Sequence, residues 1–164
     1  MEQNKVVLGR LSEKDRDTVA EILTDKTVAK TYMVPDFASE EQVVKLFRRL
    51  VDLSCGEERY VRGIYRGEAL VGFLNDVGIA GNSVELGWVV HPRYHNQGCA
   101  TAAVKLAVEE LFAKGFDEVC AGAFEENGAS IRVMEKSGMK REDRTDEIEY
   151  RGAVHRCVYY NIRK

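Results

Sequence analysis

The residues best placed for chemistry lie in one continuous run, Glu85-Leu86-Gly87-Trp88-Val89-Val90-His91-Pro92-Arg93-Tyr94-His95-Asn96-Gln97-Gly98-Cys99-Ala100-Thr101. An apolar stretch closes at Pro92, a polar turn follows, and a helix opens on small residues. The first backbone N–H groups of a helix lack intrahelical partners, and they sit at the positive end of its dipole. Small side chains at Gly98 and Ala100 would let an anion approach those amides closely, as in a phosphate cradle. The alternative from spacing alone is an ordinary helix entry with Gly chosen for close packing. Neither G-x-x-x-x-G-K-[ST] nor G-x-G-x-x-G occurs, which argues against a nucleotide hydrolase or a dinucleotide enzyme.

Two other chemistries can be set against this run. His91, His95 and Cys99 recur every fourth residue, a ligand spacing only if all three share one helix. Pro92 and the change from strand to helix argue against a metal site there. Cys99, near a helix N-terminus, could be an acidified thiol. A nucleophilic Cys needs a His and an orienting partner, and the plainer reading is a small packed side chain.

The rest of the chain must position these residues. Its 164 residues suit a single domain, and 45% apolar with 31% charged residues is ordinary for a globular protein. The 27 acidic and 24 basic residues leave a net charge of −3, without the basic excess of a nucleic-acid binder. No apolar run is long enough for a membrane span. Residues 1–5 are charged and lack an apolar core, so no secretory signal is expected. Cys55, Cys99, Cys120 and Cys157 form no C-x-x-C and read as reduced thiols, which predicts a cytoplasmic protein.

Patterning predicts alternating helices and strands. Lys5 to Leu11 reads as a strand, and Ser12 with Asp15 opens a helix through Val19, Ile22 and Leu23. Residues 26–37 suggest a short helix ended by Pro35. Ser39 and Gln42 form a capping box before a helix with Val43, Leu46, Phe47 and Leu50 on one face. Strands follow at Arg59 to Tyr65, Glu68 to Val77 and Ser83 to Val90, turning at Arg66-Gly67 and Ala80-Gly81-Asn82. Gly98 to Lys114 is the clearest helix, stopped by Gly115. A strand at Glu118 to Phe124 and a helix at Asn127 to Ser137 come next. Met139 to Arg163 reads as two strands joined around Tyr150-Arg151-Gly152. The expected fold is mixed α/β: a largely antiparallel sheet of about seven strands flanked by helices, fed by an antiparallel meander.

The run from Glu85 to Ala103, then Asn127-Gly128-Ala129-Ser130 and Lys136-Ser137-Gly138, resembles the GNAT superfamily of acyl-CoA-dependent N-acetyltransferases. It is most similar to the ribosomal-protein N-terminal acetyltransferase branch. Pro92, Tyr94, Gly98, Ala100 and Thr101 match that branch's Pro-x-Tyr-x-x-x-Gly-x-Ala-Thr pattern. Asn127, Ser130, Lys136 and Gly138 match its Asn-x-x-Ser and Lys-x-Gly patterns. The superfamily's pyrophosphate motif usually begins with Gln or Arg, where this chain has His95.

The resemblance implies a mechanism. The pyrophosphate of acetyl-CoA would lie on amides from Gln97 to Thr101, with the pantetheine arm between the strands ending at Val90 and Phe124. Those strands splay in the family, and a bulge at Trp88, Val89 and Val90 would aim an N–H at the thioester carbonyl. A primary amine is protonated at neutral pH and must lose a proton before attack. Glu85, opposite Leu86, Trp88 and Val90 on its strand, is the leading base, with Glu125 and Glu126 behind it; a solvated strand glutamate is the plain alternative. Ser130 would assist the departing thiolate. Asn127 would bond the pantetheine amide, unless it serves only as an N-cap. Tyr32, Phe37, Phe47, Tyr159 and Tyr160 are either pocket walls or core. The family also implies that residues 26–54 and the turn from Arg144 to Ala153 shape the acceptor site.

The expected activity is acetyl transfer to a primary amine, either a protein N-terminal α-amine or a small amine. No metal, nucleic acid or membrane partner is expected, and the chain would be a monomer or homodimer. A non-catalytic acyl-CoA-binding module is the alternative; it would keep Gly98 and Ala100 but need neither Glu85 nor Ser130.

Overall fold

The computed structural model describes residues 4–164; residues 1–3, on which part of the N-terminal reading rests, lie outside them. Strand β1 (Val6–Gly9) leads into a 3-10 turn at Glu13–Asp15 and helix α1 (Arg16–Thr24). The Ser12 N–H donates to the Asp15 carboxylate at 2.9 Å, and the Tyr65 hydroxyl donates to the same oxygen at 2.6 Å. Local capping and a tertiary contact together thus make a tight turn where the sequence predicts the start of the helix. Helix α2 (Lys26–Ala29) is capped by Asp25, whose carboxylate accepts from Thr27 and Val28. It ends well before Pro35 because the Ala29 carbonyl is taken by the Tyr150 hydroxyl, at 2.6 Å.

Helix α3 (Glu40–Cys55) buries Val43, Phe47 and Leu50. Ser39 caps it, accepting from Gln42 N–H at 3.4 Å, while Gln42 reaches past Ser39 to accept from the Ala38 N–H at 2.8 Å. Strands β2 (Val61–Arg66), β3 (Ala69–Ala80) and β4 (Ser83–Val90) form the meander. Helix α4 (Cys99–Ala113), β5 (Glu118–Phe124), α5 (Gly128–Lys136), β6 (Lys140–Tyr150) and β7 (Ala153–Arg163) complete the chain.

Among the described residues seven strands lie in the order β1-β2-β3-β4-β5-β7-β6. Every neighbouring pair is antiparallel except β4 with β5. The crossover that makes this pair parallel runs through α4. Alternation along the strands sends Leu86 and Val90 to the α4 side and Val89 to the side of α1 and α3. α4 buries Ala103, Val104, Ala107 and Leu111. Complete burial of Val104 and Leu111 contributes about 1.5–3 kcal/mol each.

The apolar cluster under α1 and α3 draws on β2, β3 and β4 but on no residue of β5, β6 or β7. That face of the second half of the sheet is not covered by α1 and α3, though Cys120, Phe124, Cys157 and Tyr159 on it are buried. At the far edge β6 is almost wholly charged, from Lys140 through Arg144 and again at Asp146, Glu147 and Glu149. Among the described residues no helix is long and apolar enough to cross a membrane.

Candidate functional site

The β4–β5 ladder is short. It pairs Ser83 with Glu118, Val84 with Val119 and Glu85 with Cys120, and then stops. Beyond Glu85 the β5-facing backbone edge of β4 has no strand partner, while β5 continues against β7 as far as Phe124 and Cys157. Into this parting opens a cavity of about 800 Å³, with Trp88, Val89 and Val90 on one wall and Gly122, Ala123 and Phe124 on the other.

The expected bulge is elsewhere. β4 runs in unbroken register with β3 from Leu86 opposite Asp76 to Val90 opposite Gly72, so Trp88, Val89 and Val90 form regular strand. The irregularity lies in β3, between Asp76 and Gly78, leaving Val77 as the extra residue. Gly78 has open space where a side chain would stand, so the kink is free of clash there. Nor is a β4 bulge needed to free polar groups, since that strand's outer edge is already unpaired.

α4 begins at one end of the cavity. Gly98 precedes it with φ 76°, a left-handed conformation that suits glycine. The first backbone bond of the helix joins the Ala102 N–H to the Gly98 carbonyl at 3.1 Å. No side chain caps the helix, and its first turn carries no acid. Gly98, Cys99, Ala100 and Thr101 line the cavity, as do His95 and Asn96. The His95 ring is held by its Nε2, 2.8 Å from the Val90 carbonyl oxygen. At Gln97, expected to serve through its backbone N–H, the side chain turns away from the cavity, accepting from Arg66 at 2.7 Å and donating to the Arg93 carbonyl at 3.0 Å.

Glu85 sits where the strands part, half-buried on the cavity wall. Burial raises its carboxyl pKa, the Arg144 guanidinium pulls it back, and Asp146 and Glu142 push it up again. Across the cavity, Asn127 and Ser130 form a closed pair. The Ser130 N–H donates to Asn127 Oδ1 at 3.2 Å, and Asn127 Nδ2 donates to Ser130 Oγ at 3.0 Å. Asn127 is thus the N-cap of α5. The pair still leaves the Ser130 hydroxyl proton and one Asn127 N–H free to face the cavity that both residues line.

Residues 5–140 match the family described as acetyltransferase (GNAT) domain. The chain belongs to the GNAT acetyltransferase family. It is similar to YnaD of Bacillus subtilis (strain 168), an uncharacterised N-acetyltransferase, with 29% identity over 142 residues, covering 84% of this chain and 81% of that one. A GNAT-family acetyltransferase from Bacillus anthracis superposes with a TM-score of 0.81 at 25% identity, over 97% of this chain and 95% of that one. RimL, a ribosomal L7/L12 α-N-protein acetyltransferase in complex with coenzyme A, shares the fold with a TM-score of 0.84 at 15% identity, over 96% of this chain and 93% of that one.

Within this GNAT fold the cavity extends past Glu85 to residues 27–33, where Lys30, Tyr32 and Met33 line it. The Tyr32 hydroxyl donates to Asn75 at 2.9 Å. Of the aromatic residues singled out in the sequence, Tyr32 and Tyr159 line the cavity, whereas Phe47 and Tyr160 are core and Phe37 packs beside the α1–α3 cluster. The β6–β7 turn closes over this end. Tyr150 holds Ala29, and Arg151 reaches Asp36 at 2.6 Å and the Val34 carbonyl at 3.3 Å.

Of the remaining sequence candidates, His91, Glu125 and Glu126 fall outside the GNAT cavity. Glu126 pairs with His155 at 2.5 Å, and that bond holds its carboxyl pKa down, the wrong direction for a base. Glu125 is exposed and does not line the cavity. His91 faces Glu21 at 2.9 Å, His95 the Val90 carbonyl, and Cys99 is buried, so the three do not converge. Among the described residues no group of three metal-ligating side chains forms. Sequence reasoning passed over Cys157, Asn75 and Ile148, which also line the cavity. Strand alternation alone could have placed Cys157 and Tyr159 on one face.

Proposed function

We propose that this chain transfers acetyl from acetyl-CoA to a primary amine by direct attack. The observation that carries the reading is the joint geometry of the uncapped α4 N-terminus and the β4–β5 ladder that ends at Glu85, both opening on one cavity. The pyrophosphate would take the amides of Cys99, Ala100 and Thr101, with His95 and Gly98 beside it. The pantetheine would lie along the unpaired edge of Trp88, Val89 and Val90, with the free Asn127 N–H as a further donor. Gln97 would contribute through its backbone alone.

The amine, once neutral, attacks the thioester carbonyl carbon. The C–N bond forms, the C–S bond breaks, and the electron pair leaves on the CoA sulfur. Glu85 accepts the amine's proton, directly or through water, and its raised pKa brings it nearer to the operating pH. The Ser130 hydroxyl, held by Asn127, would donate to the departing thiolate. The acceptor would enter from the side of Tyr32, Met33 and Tyr159.

Thiol release from acetyl-CoA, measured against N-terminal peptides, polyamines, amino acids and aminoglycosides, tests this reading. Turnover with an amine, reduced about a hundredfold or more by Glu85→Gln with the KM for acetyl-CoA unchanged, is the expected result. Thermal stabilisation by coenzyme A with no turnover on any of these amines would point instead to an acyl-CoA-binding module.

A further inference from the structure

β6 and β7 stay in register from Tyr150 opposite Ala153 to Thr145 opposite Val158, and meet again at Arg141 opposite Tyr160. Glu142, Asp143 and Arg144 therefore stand against the single residue Tyr159, in a bulge of three residues against one. The Arg144 guanidinium carbon lies 3.7 Å from the centre of the Tyr159 ring. Its Nη2 is 3.8 Å from Glu85 Oε1, and its Nε is 3.5 Å from Glu142 Oε2.

The platform beneath it is fixed from two sides. The Tyr159 hydroxyl donates to Asp146 at 2.8 Å. Its ring lies against Gly122, where a Cβ would stand 2.7 Å from a ring carbon. Since β5 and β7 separate β6 from β4, Arg144 spans two strands to meet Glu85.

We propose that Arg144 is a positioning residue for acetyl transfer: it holds the Glu85 carboxylate ionised and directed at the point where β4 and β5 part. The inference rests on the reading of Glu85 as the base. Glu85 is faced by Arg144, Glu142 and Asp146 from β6, by Cys120 from β5 and by Cys157 from β7, while Val77 and Gly78 opposite it on β3 carry no charge. Arg144 is the one cation in this set. A guanidinium suits the place, because it stacks on the Tyr159 ring while presenting separate N–H edges to two carboxylates. Without it, a half-buried carboxylate beside two others would take up a proton at higher pH, and the base would be lost to that proton.

The test is a 13C NMR titration of the glutamate-labelled chain, with the Glu85 carboxyl assigned by its disappearance in Glu85→Gln. In Arg144→Gln the Glu85 midpoint should rise by about one pH unit, and in Arg144→Lys, which keeps the charge, it should stay near that of the parent. Below the midpoint, kcat of Arg144→Gln with saturating amine should fall about tenfold, the ionised fraction lost per unit, with the KM for acetyl-CoA unchanged. An unmoved midpoint in Arg144→Gln overturns the proposal, as does a shifted midpoint with kcat intact. Full activity of Glu85→Gln would remove the base assignment itself, and the titration separates that failure from this one.

Discussion

Glu85 and Cys120 are the last paired residues of the parallel ladder between β4 and β5. A carboxylate and a thiol thus share the point from which the two strands diverge. Burial, reinforced by Glu85 and Glu142, pushes the Cys120 thiol up to about 11. At neutral pH Cys120 stays protonated and is a poor nucleophile, so it does not compete with an amine for the acetyl group.

The same burial has a consequence for stability. Because the Glu85 pKa is raised in the folded chain, folding favours its protonated form. Below the unfolded value of about 4.3 both states hold the proton, and nothing is gained or lost. As pH rises through the unfolded and then the folded value, the folded state loses stability. Glu85→Gln should therefore melt above the parent at pH 7 and level with it at pH 4. Melting curves at the two pH values check this, and an equal Tm at pH 7 would contradict it.

Gly98 tests the helix entry. Its φ of 76° is costly for a side chain, by about 1–2 kcal/mol, yet nothing stands within 4 Å of the place where a Cβ would go. Gly98→Val should fold with a modest loss of Tm while losing most of the stabilisation that coenzyme A gives the parent chain. Thermal melts with and without coenzyme A separate the two effects.

Tyr150 ties the β6–β7 turn to the segment after α2. Tyr150→Phe removes a donor to the Ala29 carbonyl and an acceptor for the Val34 N–H, costing about 1 kcal/mol or more for groups that are partly buried. Amides of residues 28–34 should exchange faster, and the KM for the amine should rise without change in that for acetyl-CoA. Hydrogen exchange and steady-state kinetics are the measurements.

Asn127 combines a cap with a second bond. Asn127→Ala should cost about 1 kcal/mol of stability. Asn127→Asp keeps the acceptor for the Ser130 N–H but loses the donor to Ser130 Oγ. The expected outcome is a Tm close to the parent with slower thiol release. Full activity in Asn127→Asp would reduce Asn127 to a helix cap.

Much of this was legible in the residues. Period-2 and helical patterning place the other strands and the longer helices through the faces they turn inward, whereas β6, which has no buried residue, is placed by the turn at Tyr150-Arg151-Gly152. The run from Glu85 to Thr101 and the Asn127–Ser130 pair converge on one cavity, as local motifs allow. Four features were not legible. The β3 bulge at Val77 and the β6 bulge at Glu142 to Arg144 arise from cross-strand register, which depends on a partner strand far away in sequence. The outward turn of Gln97 depends on Arg66, equally remote along the chain. The early end of α2 is set by Tyr150, again through a distant contact.

The charges along β6 act on the molecule's surroundings as well as on Glu85. An outermost strand normally offers its free amides and carbonyls to any extended segment it meets. Docking another chain on this one would strip its row of charged side chains of water. The protein can therefore keep an open, cavity-bearing half of its sheet without inviting sheet-to-sheet polymerisation along that border, a safeguard against fibre growth carried by the strand that also supplies Arg144.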